Sequence, residues 1–167
     1  RLLDAFFVVF FGVTCLLMAF RVPTVIFIAY VALSLVLVYK VKGKGFVVLL
    51  VFGSFLIRLA YICIVDTPLE SDFQLLYEAA VLFSKGDYSF SRLVYFKDWA
   101  YQTGFVIYEG IIVKLFGPSG GIMALKILNC FWNTGITLLI YLFARNFFKE
   151  RSSRLASVLY MGFVFPV

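Results

Sequence analysis

Glu70-Ser71-Asp72 sets two carboxylates one residue apart, just after Pro68 and at the start of a segment with helical periodicity. Such a pair can supply a general base, orient a hydroxyl nucleophile or hold a hard divalent cation, although two carboxylates are too few ligands to imply a metal. The remaining residues narrow the choice. Histidine is absent, which excludes a Ser-His-Asp triad, a histidine-bearing metal cage and any imidazole base. Acid–base work must therefore fall to carboxylate, Lys, Arg or Tyr. The three cysteines, Cys15, Cys63 and Cys130, sit in apolar runs at unrelated spacings and read as small buried hydrophobes. They leave the redox compartment undetermined.

The elements that must position these residues are set by composition. Of 167 residues 63% are hydrophobic, 20% aromatic and only 14% charged, and the mean hydropathy is +1.02. So little polar surface predicts an integral membrane protein, all-α and polytopic. The formal charge of +6 is gathered in short clusters between apolar runs, the pattern of topology determinants rather than of a nucleic-acid face.

A helical crossing needs about 20 mostly apolar residues. Leu2 to Phe20, Thr24 to Tyr39, Phe46 to Val65 and Gly121 to Ala144 are read as four spans, with a fifth starting at Arg154 and too short by Val167 to cross with comfort. The basic segments Lys40 to Gly45 and Arg145 to Arg154 are expected on the cytoplasmic side by the positive-inside rule. The amino terminus is then cytoplasmic, and Asp66 to Gly120, with seven acids against four basic residues, is an outer loop. The chain divides into two spans and a basic loop over residues 1–45 and a larger membrane module over 46–167. It reads as a fragment of a longer protein, expected to be inactive alone.

The outer loop is predicted to hold two interfacial amphipathic helices. Ser71 with Gln74 forms a capping-box pattern, followed by Phe73, Leu76, Tyr77, Ala80 and Val81 at helical spacing until Gly86-Asp87. The second runs from Tyr101 to Phe116, carries Glu109 and Lys114, and ends at Gly117-Pro118. Two such helices would frame a cavity at the lipid boundary. In the fourth span Lys126, Asn129, Asn133 and Thr137 make a polar stripe, read as facing other helices, with Lys126 near enough to the outer surface to approach a headgroup.

In this order, a span bearing Arg58, a Pro with an acidic pair, Tyr77, Ala80 and Gly86-Asp87-Tyr88 resembles the first outer loop of membrane glycosyltransferases with the GT-C fold. Lys114 to Gly117, Ala124 to Asn129, Leu142 to Arg145 and Phe165-Pro166 continue the pattern. The likeness is to the family 39 type, which includes protein O-mannosyltransferases and lipid A aminoarabinose transferases, and covers roughly Val51 to Val167. It implies an enzyme of the cell envelope, in a bacterial plasma membrane, that moves a sugar from a polyprenyl-phosphate carrier to an extracytoplasmic glycan, lipid or protein. The resemblance makes Asp72 the catalytic base, with Glu70 beside it. A dipole contact worth about 0.3 to 1 kcal/mol in the first turn of a helix would suffice to explain Asp72 without catalysis.

Where the family carries a Lys-Pro-Pro or His-Pro-Pro element, this chain has Trp99-Ala100-Tyr101-Gln102 and no cation. Arg58, Lys97 and Arg92 are therefore the candidates for the donor phosphate, and Tyr77, Tyr101, Gln102 and Lys126 for the substrate cavity. Arg58 stands about eight residues, roughly 12 Å, from the outer end of its span. Its partner is either that phosphate or a loop acid such as Glu109. No cofactor is required beyond the divalent cation that Glu70 and Asp72 could bind. Two further readings remain: a transporter or flippase of lipid-linked saccharide, and a non-catalytic membrane scaffold.

Overall fold

The computed structural model describes Ala5, Val9 and residues 24–163, with side chains from Ala29 onward in the latter range. It is all-helical, with no strand among the described residues. The helices are α1 (Thr24–Tyr39), α2 (Lys44–Ile64), α3 (Ser71–Ser84), the short α4 (Val94–Asp98), α5 (Thr103–Ala144) and α6 (Glu150–Met161). Single 3-10 turns at Ser89–Arg92 and Ala100–Gln102 flank α4.

Two helices are long and apolar enough to cross a bilayer, Lys44–Ile64 and the run Ala100–Ala144. Only 22% and 11% of their most apolar windows are buried within the molecule, so large side chains such as Phe52, Leu56, Trp132, Leu139 and Phe143 face outward. That surface suits hydrocarbon rather than water. Five spans were expected, and the described residues hold two of sufficient length. The expected Leu2 to Phe20 span lies, apart from Ala5 and Val9, outside the described residues. Helix α1 has 16 residues, about 24 Å, and α6 has 12, about 18 Å, against a hydrocarbon core of about 30 Å.

Helix α5 would be about 63 Å long if straight, twice what a crossing needs. It is not straight, because Gly117 stands at φ 74° and ψ 168° with Pro118 directly after it. The left-handed φ is open to glycine, and Pro118 starts the next helical arm where its missing N–H has no intrahelical partner to lose. The bend is sharp. A Cβ on Gly121 would lie 3.2 Å from the Val113 Cα, whereas residues eight apart in a straight helix are about 12 Å apart along the axis. The second interfacial helix and the fourth span of the sequence reading are thus two arms, 103–116 and 118–144, of one interrupted helix.

The chain falls into two compact units, Val65–Asn129 and the residues on either side of it. In the flanking unit Leu50, Phe46, Val38, Tyr141, Val158 and Leu159 form the core. Arg154 is buried there, donating from Nη1 to the Val38 and Val41 carbonyls and from Nε to Glu150 Oε1 at 2.8 Å. Glu150 Oε2 is in turn 3.2 Å from Arg145 Nε. The segments after α1 and after α5 therefore meet through Arg154.

The Val65–Asn129 unit is built on α3. Leu76, Ala79 and Ala80 pack with Phe90, Phe96 and Val106. The helix ends at Lys85, where Gly86, at φ 81°, donates to Phe83 O at 2.9 Å and Asp87 donates to Leu82 O at 3.0 Å. These bonds satisfy carbonyls the helix leaves open. Its start differs from the expected capping box. Glu70 is the N-cap residue and makes no side-chain cap, while Gln74 Nε2 donates to Glu78 Oε1 at 2.8 Å instead of reaching back.

Candidate functional site

Ser71, between the two carboxylates, has φ 54°, the only positive φ outside glycine among the described residues. A left-handed serine costs of order 1 kcal/mol and persists where its surroundings fix it. The Glu70 and Asp72 side chains both remain exposed. Neither carboxylate is consumed in capping α3.

Asp72 nevertheless has company. The Tyr95 phenol, from α4, lies within electrostatic reach of Asp72, Tyr101 and Gln102. Partial burial, and after it the Asp72 charge, raise the Tyr95 phenol above its ordinary pKa. A phenol held in its protonated form is a donor, and its natural acceptor here is the carboxylate. Asp72, Tyr101 and Gln102, singled out in sequence, are thus brought together around a residue that was not. Tyr95 sits in a five-residue helix, too short for periodicity to mark its direction.

Tyr77 is buried and works at the bend of α5. Its hydroxyl donates to the Pro118 carbonyl, and the Ile122 N–H points at the tyrosine oxygen. The tyrosine therefore enters the backbone ladder of the second arm at its first turn. Burial, and then the charge of Glu109, push its phenol pKa up. Glu109 is itself buried, and its Oε2 has no hydrogen-bond partner among the described residues. Lys126 Nζ donates to Thr67 at Oγ1 (2.7 Å) and O (3.1 Å), tying the second arm to the segment that leads into Glu70. Tyr77 and Lys126 both hold the frame on which the acidic pair stands.

Arg58 belongs to the other unit and is buried. Its Nη1 donates to the Ser54 hydroxyl and to Ser54 O at 3.1 Å, while Nη2 donates to the carbonyls of Tyr160 (3.2 Å) and Phe163 (3.3 Å) at the end of α6. The guanidinium also lies 5.6 Å from the Tyr160 ring centre. These carbonyls are ones that a helix end leaves open, so the arginine acts there as a C-terminal cap. The polar stripe turns inward as well. Thr137 and Ser54 hydroxyls are 3.0 Å apart, and Tyr160 donates to Asn133 Oδ1 at 3.0 Å.

Arg92 and Lys97 are exposed, in the 3-10 turn before α4 and in α4 itself. Lys97 is two residues from Tyr95, on the element that carries the partner of Asp72. Among the described residues no group of three or more His, Cys, Asp or Glu side chains gathers to hold a metal. The chain matches no protein-family model, no curated protein and no solved structure.

Proposed function

We propose that this protein is a membrane glycosyltransferase that moves a sugar from a polyprenyl-phosphate carrier to an extracytoplasmic acceptor, with Asp72 as general base. The observation that supports it is an exposed carboxylate at the head of a helix, with the Tyr95 phenol within electrostatic reach, where that helix bonds through Tyr77 to a sharp bend leading into a membrane-length arm. The exposed carboxylate is open to an acceptor hydroxyl. As the acceptor oxygen bonds to the anomeric carbon, its proton passes to Asp72, and the carbon–phosphate oxygen bond breaks with its electrons leaving on polyprenyl phosphate. The anomeric centre inverts.

Negative charge gathers on the departing phosphate and calls for a cation. With the Arg58 guanidinium engaged on helix carbonyls, Lys97 and Arg92 are the better candidates. A transport reading draws on Arg58 and the polar stripe, and both are occupied by neighbouring helices, so that reading gains no support.

Replacing Asp72 by Asn keeps size and much of the hydrogen bonding but removes the proton acceptor. We expect transfer in the intact protein to fall about two to four orders of magnitude, with binding of polyprenyl-phosphate sugar retained. Near-normal turnover in Asp72→Asn would reduce the carboxylate to a helix-dipole partner.

A further inference from the structure

One face of α3 is left open along its length. Ser71, Gln74 and Glu78 form its polar edge, Leu75, Ala79 and Leu82 its apolar floor, and Phe90 with Leu93 closes the far side around a hollow of about 230 Å³. The hollow begins at Ser71, one residue from the Asp72 carboxylate. Drug-sized ligands occupy pockets of about 300–1,000 Å³, so this one admits a single ring rather than an extended molecule.

We propose that this groove is a saccharide subsite that takes one neutral sugar ring of the acceptor; the acceptor role rests on the transferase reading above, the sugar binding does not. The chemistry of the two edges selects the occupant. Gln74 Nε2 donates to Glu78 Oε1 at 2.8 Å, which fixes the carboxylate and leaves its Oε2 to accept from ring hydroxyls. Hydrogen bonds to an ionised acceptor are roughly twice as strong as neutral ones, and the lone pairs of the free oxygen can accept from ring hydroxyls. The leucine floor receives the C–H face of the ring. A hydrocarbon chain would make no use of the Ser71 hydroxyl or the free Glu78 oxygen and would strip water from that charged edge, and an anion would be repelled by Glu78. A ring seated here has its neighbouring residue, or its own free hydroxyl, at the end of the groove nearest Asp72.

The test uses the protein in nanodiscs and saturation-transfer NMR with methyl glycosides of glucose, mannose, galactose and arabinose, each at millimolar concentration. We expect transfer to the ring C–H protons of at least one glycoside. Glu78→Ala, a change at an exposed position, should weaken that binding at least tenfold, and Leu93→Trp, which fills the hollow from its exposed wall, should abolish it. Asp72→Asn should bind the glycoside as the wild type does. The proposal is overturned if no glycoside receives saturation, if both groove variants bind unchanged, or if a doxyl-labelled fatty acid broadens the groove resonances and displaces the sugar. Glycoside binding that responds to Glu78 in a protein without transfer activity would sink the transferase reading and leave the subsite standing.

Discussion

At the scale of single residues, Arg58 and Tyr95 mark what a sequence can and cannot convey. The apolar run around Arg58 makes plain that a buried cation needs a partner, but not that the partner is a set of carbonyls more than a hundred residues away. Those carbonyls become available only because α6 ends at Met161. Arg58→Ala should therefore act first on stability, lowering it by about 2–3 kcal/mol as charged hydrogen bonds are lost and carbonyls are left open. Thermal unfolding in detergent would read this, and a variant as stable as the wild type but unable to bind donor would return Arg58 to the phosphate. The candidacy of Asp72 comes from its neighbours in sequence. Tyr95 was not, because its link to Asp72 depends on how two short turns fold back toward α3.

At the scale of elements, apolar periodicity located α3 and the first arm of α5 within two residues at each end, since both bury one face. The capping box failed for a local reason. Once Ser71 takes a left-handed φ, Glu70 becomes the cap and Gln74 is free to pair with Glu78. Pro118 was read as a stop, which in backbone terms it is, although helical bonding resumes at once on its far side. The close fit of α3 to the first arm offers a direct check. A Cβ at Gly110 would stand 2.4 Å from Phe83 Cδ1 and 3.1 Å from the Ala80 carbonyl oxygen, so Gly110→Val must push the two helices apart. Overpacking of this kind costs about 1–3 kcal/mol. Amide exchange in α3 should rise in that variant while α2 is unaffected; unchanged protection in α3 would mean that the two helices are not held at this contact.

For the whole molecule, hydropathy registers composition over a window and is blind to where hydrogen bonding stops. It therefore marked five apolar runs, of which the described residues show two as helices of crossing length, Lys44–Ile64 and Ala100–Ala144. Arg154 joins the two basic segments through the Val38 and Val41 carbonyls, a contact that neither hydropathy nor charge pattern specifies. The central claim is one of chemistry carried out at the head of α3 on a lipid-borne sugar. It is tested most directly by supplying proteoliposomes of the protein with radiolabelled sugar on polyprenyl phosphate and a glycoside acceptor, then following carrier and sugar separately. The account predicts that free polyprenyl phosphate appears one-for-one with glycosylated acceptor of inverted anomeric configuration, and that Asp72→Asn stops both. Carrier that crosses the bilayer with its sugar still attached, or label that never leaves the carrier in the wild type, would contradict it.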